Sequence, residues 1–298
     1  MTKCPRRRGF LSKYGSPLSG KDRCPKRRNA QIVCKRRRQL AFAAVLLYTN
    51  DMTLWGDYHV HSTYSDGKDD LSTILAAAAA KGLKEIAITE HGPSNPSYSL
   101  AKARKEREEI ECLRAQSGLK VYFGNEHDLV SSGGDLDVDP KDWDLFELHL
   151  VGFHQFSRPK TVGEWFGWYL PCLTYAKRQP EVIRRNTASV IRCIERYPVD
   201  VVVHLGHRMI VDLNEVGRAC RDAGTLVELN VKHVSALLPD WEGLLDSGCD
   251  LVVETDAHRA RDVGEAQAVL DLIERYGIKD RVVNLDKLPV FRSMREKL

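Results

Sequence analysis

The sequence predicts an α/β fold in which seven parallel strands and the helices between them form a β/α barrel, with a metal site at the carboxyl ends of the strands. From residue 54 onward, short apolar segments alternate with amphipathic ones, which is typical of repeated β-α units. No G-x-G-x-x-G or G-x-x-x-x-G-K-[ST] loop follows a strand, so a barrel is favoured over a dinucleotide-binding sheet. Histidines recur where the apolar segments end, and such barrels assemble their active sites at these ends.

The elements follow from the alternation of apolar and amphipathic segments. Seven segments are predicted as strands: 55–60, 85–89, 119–125, 146–153, 200–205, 225–230 and 250–255. Six segments are predicted as helices: 70–81, 99–116, 181–196, 213–223, 237–247 and 263–276. Residues 155–180 interrupt the rhythm with tryptophans and three prolines, and we predict a long loop there that could act as a lid.

Charge divides the chain into two parts. Residues 1–50 contain 14 Lys and Arg and one acidic residue, so the remainder has a net charge of −9. An acidic domain of this kind suits divalent cations better than a polyanion. The eight cysteines form no C-x-x-C pair, which predicts free thiols and a cytoplasmic location. No segment reaches the roughly 20 apolar residues that a membrane span requires.

Residues 1–51 are predicted to be a disordered basic extension of the domain formed by residues 52–298. Its Lys/Arg runs could bind nucleic acid by charge alone, and we expect no other part of the chain to do so. An Arg-rich leader is also typical of organelle transit peptides. In the remaining interpretation, translation starts at Met52, directly before the first strand. These alternatives stay open, as does the oligomeric state.

Histidines and carboxylates cluster at the predicted strand ends. His59 and His61 are two residues apart on the first strand, so both imidazoles point to the same side. Asp256 and His258 repeat this spacing at the last strand. The candidate metal ligands are His59, His61, Asp66, His91, Glu126, His154, His204, Asp256 and His258. We interpret His149 and His233 as structural, whereas His127 and His207 could serve either purpose.

Imidazole and carboxylate ligands without thiolate suit Zn, Mn or Fe ions. Nine candidates exceed the needs of one ion, which predicts two or three divalent metal ions sharing carboxylates. Such a site generates hydroxide near neutral pH and clamps the attacking and leaving oxygens of a phosphoryl group. No serine nucleophile is then needed, and no G-x-S-x-G motif occurs.

Several stretches occur together in a fixed order over roughly residues 54–285. They are Asp57-Tyr58-His59-Val60-His61-Ser62-Thr63-Tyr64-Ser65-Asp66-Gly67, Ala87-Ile88-Thr89-Glu90-His91-Gly92-Pro93, Gly124-Asn125-Glu126, His154, His204 and Thr255-Asp256-Ala257-His258. In this combination the chain resembles the PHP (polymerase and histidinol phosphatase) family, and Gly92-Pro93 resembles its stand-alone phosphatase branch.

The resemblance implies a distorted, TIM-like barrel of seven strands with a trinuclear site. The implied ligand sets are His59, His61, Glu126 and Asp256 for one metal; Asp66, His91 and a bridging Glu126 for the second; and His154, His204 and His258 for the third. The chain departs from the family pattern in three places. Asp66 stands where many relatives have histidine, Glu90 where they have aspartate, and Leu205 where they have proline. Glu90 is therefore expected to support a ligand instead of being one.

Our hypothesis is a hydrolase that cleaves a small phosphate monoester, with histidinol phosphate as the first candidate substrate, through a metal-activated hydroxide. Either His207 or Asp256 would protonate the leaving group. Arg208, Lys232 and Arg259 would hold the phosphate, unless they are ordinary solvated charges. The alternatives are a nuclease or nucleotide phosphodiesterase, favoured by the basic extension, and a non-catalytic module that stabilises a polymerase.

Overall fold

The computed structural model describes residues 52–295 and contains one sheet of seven parallel strands in sequence order. The strands are β1 Gly56–Asp57, β2 Glu85–His91, β3 Lys120–Asp128, β4 Leu148–Gly152, β5 Val201–Val202, β6 Leu226–Asn230 and β7 Leu251–Glu254. Each pairs in parallel with its neighbours. The predicted barrel with seven strands is therefore confirmed.

The first and last strands approach each other and nearly close the barrel. Val60 and Ala257 form a parallel bridge, in which the Ala257 amide donates to the His59 carbonyl at 3.2 Å. At the other end of the strands, the side-chain amide of Asn284 bonds to backbone groups of Gly56 and Val253. The closure brings the ends of β1 and β7 side by side, so their histidines and Asp256 reach one site.

Helices surround the sheet. The α-helices of six or more residues are α1 Leu71–Ala80, α2 Leu100–Ser117, α3 Pro180–Arg196, α4 Leu213–Ala223, α5 Trp241–Asp246 and α6 Gln267–Tyr276, and a 3₁₀ helix of six residues spans Pro140–Leu145. Local chemistry sets their limits: the Asp70 carboxylate accepts from the Thr73 amide at the start of α1, and Gly118 ends α2 in a left-handed conformation. Helix α5 is shorter than predicted because two 3₁₀ turns, Val234–Ala236 and Leu238–Asp240, precede it. No helix within residues 52–295 is long and apolar enough to cross a membrane.

The segment 155–180, predicted as a loop, instead contains a series of helical turns. Trp168 and Tyr169 are buried there against Phe153, with ring centroids 5.5 and 5.1 Å away, and the Tyr169 hydroxyl donates to the His154 carbonyl. This burial stabilises helical turns that the prolines do not disrupt. The turns are Val162–Glu164, Trp165–Tyr169, Leu170–Leu173 and Tyr175–Arg178. Its role as a lid stays a prediction.

The barrel interior changes character along the strands. Near their amino ends it is mainly apolar: Tyr58, Tyr122 and Phe291 pack together among aliphatic side chains, and the two tyrosine hydroxyls donate to the buried carboxylate of Glu85. Toward their carboxyl ends buried carboxylates and imidazoles replace the apolar residues, beginning with Glu228 and Glu254. A larger apolar core fills the space between the sheet and the helices. The fold thus directs the imidazoles of the barrel interior to one end of the barrel.

Candidate metal centre

The Glu126 carboxylate on β3 is the centre of the site. It is fully buried, and five imidazoles surround it. The ring nitrogens nearest to its oxygens belong to His59, His61, His91, His154 and His204, at 3.3, 3.6, 2.8, 3.1 and 2.7 Å respectively. Three of them approach Oε1 and two approach Oε2. This arrangement suits a carboxylate that bridges more than one cation.

Residues from the joined ends of β1 and β7 form one side of the centre. Asp256 Oδ1 lies 3.4 Å from His61 Nε2 and 3.9 Å from His59 Nε2. Asp256 has a φ of 52°, in the left-handed region that few non-glycine residues adopt. Such backbone strain is frequent at functional sites. The structure therefore brings together the histidines and the aspartate that the resemblance assigns to one ion.

Asp66, His91 and His258 form a second side. Asp66 Oδ1 lies 3.4 Å from His91 Nε2 and 3.2 Å from His258 Nε2. One ligand atom each from His61, Asp66, His91 and His258 lie within 4.8 Å of one another. The resemblance groups His258 with His154 and His204, but the structure brings it to Asp66. Its assignment to the third metal stays a prediction.

His154 and His204 approach Glu126 from the third side. His154 Nδ1 lies 2.7 Å from Asp128 Oδ1, and its other nitrogen faces Glu126. His204 has a φ of 35° and packs so closely on β4 that a Cβ at Gly152 would lie 2.6 Å from its Cε1 atom. Glycine at position 152 is therefore required for this position of the imidazole.

Buried polar atoms without hydrogen-bond partners indicate that these residues fit metal ions. They include both ring nitrogens of His61, Nε2 of His59, Nδ1 of His91, Oδ1 of Asp66 and Oε2 of Glu126. His91 Nδ1 and Glu126 Oε2 are only 2.8 Å apart, yet they do not meet hydrogen-bond geometry. Buried polar atoms normally have a partner, so several unsatisfied atoms converging on one point need an explanation. Divalent cations held by imidazole and carboxylate provide it.

The electrostatics lead to the same conclusion. Burial acts to raise the pKa of Glu126, but His154 and His59 outweigh it and hold that pKa well below its ordinary value. Burial acts to lower the pKa of His59, yet Glu126 and Asp256 raise it well above its ordinary value. For His91, Asp66 and Glu126 likewise outweigh burial and raise the pKa to about 9. The carboxylates thus create a buried site that attracts positive charge.

Sequence reasoning missed three buried carboxylates beside the centre. Glu228 Oε1 lies 2.8 Å from His59 Nδ1, Asp128 contacts His154, and both oxygens of Glu254 lack a hydrogen-bond partner. Burial and the nearby Glu228 raise the pKa of Glu254 well above its ordinary value. The sequence carried a signal for Glu228 and Glu254, because each is an acidic residue in a largely apolar strand segment, but none for Asp128, which follows the polar Glu126 and His127.

Glu90 lies beside His61 and the loop that carries Asp66, and its supporting role for a ligand stays a prediction. It is buried, it accepts from the Ser62 amide at 2.7 Å, and its Oε2 atom lies 3.7 Å from His61 Nδ1. The Ser65 hydroxyl also donates to Glu90, one residue before Asp66. Glu90 therefore stabilises the loop that carries Asp66 and approaches the outer nitrogen of His61.

An open cleft of about 260 Å³ leads to the centre. His207, Arg208, Lys232 and His233 line it, and the rings of His207 and His233 are stacked 3.7 Å apart. The Lys232 ammonium lies 3.4 Å from Asp256 Oδ1 and 3.0 Å from His258 Nδ1. Further lining residues include Asp66, His91, Asn95, His154, Gln155, Phe156, His204, Asp256 and His258. The exposed Arg259 is not among the residues that line the cleft.

Two histidines that the sequence left outside the ligand set lie away from the cleft. His127 stacks on Trp143, with ring centroids 5.1 Å apart, and its Nε2 atom lies 3.0 Å from His149 Nδ1. Burial lowers the pKa of His127 to about 3, so this imidazole is neutral. Both rings belong to the packing between the sheet and its outer cover.

Comparisons with known proteins show which proteins the chain is similar to. A probable phosphatase from Syntrophotalea carbinolica is 26% identical over 247 residues, which cover 76% of this chain and 90% of that protein. The DNA polymerase/3'-5' exonuclease PolX of Bacillus subtilis is 25% identical over 219 residues, 68% of this chain but 34% of that protein.

The solved structure of histidinol phosphate phosphatase from Lactococcus lactis, in complex with Zn, L-histidinol and phosphate, has a similar fold. It superposes with a TM-score of 0.51 at 19% identity and covers 81% of this chain and 98% of that one. The profile of the PHP domain matches residues 57–283, from the first strand to the segment that closes the barrel. The chain therefore belongs to the PHP domain family and is a hydrolase of that family.

Proposed function

We propose that this protein hydrolyses small phosphate monoesters with the help of two or three divalent metal ions. The observation that carries the proposal is the contact of five imidazoles with the single buried carboxylate of Glu126. The residues proposed to hold the ions are His59, His61, Asp66, His91, Glu126, His154, His204, Asp256 and His258. Bound there, the ions would supply positive charge for the phosphoryl group and lower the pKa of water.

The chain's own residues would then bind and orient the ester. Lys232 and Arg208 line the cleft and would bind the phosphate oxygens. Arg259 is not among the lining residues and is therefore the weakest of the three basic candidates for binding the phosphate. A cleft of about 260 Å³ admits a small phosphorylated molecule, which favours a monoester over a long polymer.

Protonation of the leaving oxygen falls to His207 or Asp256. Asp256 already contacts two imidazoles and the Lys232 ammonium, whereas His207 faces the cleft and contacts His233. Burial and the neighbouring His233 lower the pKa of His207 to about 4, so its ring is neutral near pH 7, and both residues stay candidates for donating a proton to the leaving alkoxide.

Histidinol phosphate is the first substrate to test. The structural neighbour from Lactococcus lactis is a histidinol phosphate phosphatase, and the curated relatives include probable phosphatases. A nuclease is the second candidate, because PolX from Bacillus subtilis matches 68% of this chain. The basic extension predicted to bind nucleic acid consists of residues 1–51, which lie outside the residues that the structure describes.

The test is metal content together with activity on a panel of phosphate esters. The panel contains histidinol phosphate, other monoesters, a diester and an oligonucleotide, assayed with wild type, His59→Ala and His127→Leu. We expect two or three metal ions per chain and monoester hydrolysis in the wild type and in His127→Leu, with hydrolysis lost in His59→Ala. Cleavage of the diester or oligonucleotide alone would move the assignment to the nuclease. A reconstituted wild type without bound metal would refute the proposal.

A further inference from the structure

Glu228 connects two of the candidate metal ligands. It lies on β6 with its side chain fully buried. Its Oε1 atom is 2.8 Å from His59 Nδ1 and also accepts from the Asn230 side-chain amide at 3.0 Å. Its Oε2 atom accepts from the His204 backbone amide at 2.5 Å. One carboxylate thus holds the end of β1 and the segment that follows β5.

The contact with His59 selects the tautomer of that imidazole. An ionised carboxylate only accepts hydrogen bonds, so the proton of a neutral His59 ring must reside on Nδ1. The lone pair of Nε2 is then directed to the centre, where Glu126 Oε1 lies 3.3 Å away. A histidine that binds a metal through one nitrogen normally donates its other N–H to such a partner.

The contact with His204 restrains a strained backbone. His204 has a φ of 35°, which side-chain-bearing residues rarely adopt, and its ring nitrogen lies 2.7 Å from Glu126 Oε1. A charge-assisted bond from the backbone amide to Glu228 stabilises this conformation. Without it, the imidazole would lose the backbone position that aims it at Glu126.

We propose that Glu228 is a positioning residue of the metal centre, which fixes the Nδ1–H tautomer of His59 and the backbone of His204 so that both present Nε2 to bound cations. The inference rests on the proposed function only in taking the centre as a metal site. It requires no particular substrate.

The test compares zinc binding by metal-free full-length wild type, Glu228→Gln and Glu228→Asp in competition with a chromogenic chelator. Glutamine has nearly the same shape, but its NH₂ group must face either the N–H donors of His59 and Asn230 or the backbone N–H of His204. It can also stabilise the wrong tautomer of His59. We expect zinc to bind about 10–100-fold more weakly to Glu228→Gln. Glu228→Asp, which keeps a carboxylate, should recover part of the affinity.

Asp200→Asn is the matched control. Asp200 is also a buried carboxylate that accepts from two backbone amides, those of His149 and Ser293, but it contacts none of the proposed ligands. Its variant should bind zinc as the wild type does. A loss of zinc affinity in Asp200→Asn equal to that in Glu228→Gln would indicate a general effect of removing a buried carboxylate and would overturn the proposal.

Nuclear magnetic resonance of ¹⁵N-histidine-labelled, zinc-loaded protein tests the tautomer directly. The wild type and Glu228→Asp should show a His59 Nδ1–H signal, identified by its loss in His59→Ala, and Glu228→Gln should lose or shift it. In a His59→Ala background, Glu228→Gln should cost much less zinc affinity than in the wild type, because the shared contact is already absent.

The outcomes separate this proposal from the proposed function. Unchanged zinc affinity and an unchanged Nδ1–H signal in Glu228→Gln would overturn the positioning role, even in an active phosphatase. If Glu228→Gln binds zinc more weakly than the wild type, but the wild type cleaves no phosphate ester, the role of Glu228 is supported and the phosphatase function is refuted. A wild type that binds no zinc would overturn both.

Discussion

Strand β3 carries two adjacent buried residues in opposite environments. Glu126 faces the barrel interior, where five imidazoles approach it and hold its pKa well below the ordinary value. His127 faces the other side, where it stacks on Trp143 and contacts His149. Burial is complete for both side chains, yet Glu126 lies among several unsatisfied polar atoms from different residues, whereas among the described residues on the other side only Nδ1 of His127 itself lacks a hydrogen-bond partner.

The contrast shows that burial of a histidine does not by itself indicate a metal ligand. Carboxylates outweigh burial at His91 and raise its pKa to about 9, whereas burial dominates at His127 and lowers its pKa to about 3. Buried carboxylates differ in the same way. Imidazoles surround Glu126, but Asp200 accepts mainly from backbone amides, and burial raises its pKa to about 6. The neighbours of a buried group therefore distinguish the metal centre from the packed core.

The largest expected effect is that of Glu126→Gln. Glutamine keeps the shape of the side chain but removes the negative charge that five imidazoles contact. It also replaces one of the two oxygens that could bridge cations with an NH₂ group. We expect phosphate-ester hydrolysis to fall by more than the roughly 100-fold typical of losing an outer partner of a ligand. Metal content, measured by mass spectrometry of the purified protein, should fall with it.

The thermal unfolding of Glu126→Gln provides the control. Added zinc should raise the Tm of the wild type, because binding to the folded state alone stabilises it by about 2.7 kcal/mol at 100 times Kd. The variant should fold, as seen by circular dichroism, but lose most of this shift. Full metal content in a folded Glu126→Gln would contradict a central role for this carboxylate.

A smaller effect is expected from Gly152→Ala. The added Cβ would lie 2.6 Å from Cε1 and 3.0 Å from Nε2 of His204, so the ring must move. A displacement of about 1 Å in an active site can cost about 100-fold in rate, and we expect a loss of 10–100-fold. Gly167→Ala, with no atom within 4 Å of the added carbon, is the matched control and should keep full activity. Equal activity of the two variants would show that His204 does not require this position.

The fold was largely predictable from the sequence because hydrophobic periodicity reports on the layers of a barrel. All seven strands were located, although β1 and β5 are only two residues long where six residues were expected. The segment 155–180 was mispredicted because the burial of Trp168 and Tyr169, a tertiary effect, outweighs the local signal of its prolines.

The site was predictable to a different extent. Spacing placed His59 and His61 on one side of β1, and the structure brings both to Glu126. Spacing did not exclude His127, because the predicted strand ended at residue 125. In the structure β3 continues to Asp128, so His127 faces away from Glu126. Glu228 was missed because its role depends on contacts with His59 and His204, which are distant in sequence.

His127→Leu should affect stability and leave the chemistry unchanged. The substitution removes the hydrogen bond to His149 and the stacking on Trp143, which we expect to lower the free energy of unfolding by about 1–3 kcal/mol. Metal content and turnover should equal those of the wild type. Chemical denaturation together with an activity assay at saturating metal tests both statements. Loss of metal at unchanged stability would instead place His127 in the centre.

The smallest effect concerns the pH dependence of stability at Asp200. Its pKa of about 6 in the folded protein lies above the ordinary value of 3.8, because burial disfavours the charged form. Between these values the folded chain keeps a proton that the unfolded chain has released. The contribution of Asp200 to stability is therefore fully present below pH 3.8 and is lost as the pH rises through 6.

From pH 5 to pH 7 the loss should be about 1 kcal/mol. Asp200→Asn does not titrate and should lack this loss. Urea unfolding of the metal-free wild type and metal-free Asp200→Asn at pH 5 and pH 7 should therefore show that the difference between their free energies of unfolding changes by this amount. Parallel stability curves would mean that Asp200 titrates alike in the folded and unfolded chains, and that its backbone donors stabilise the carboxylate as well as water does.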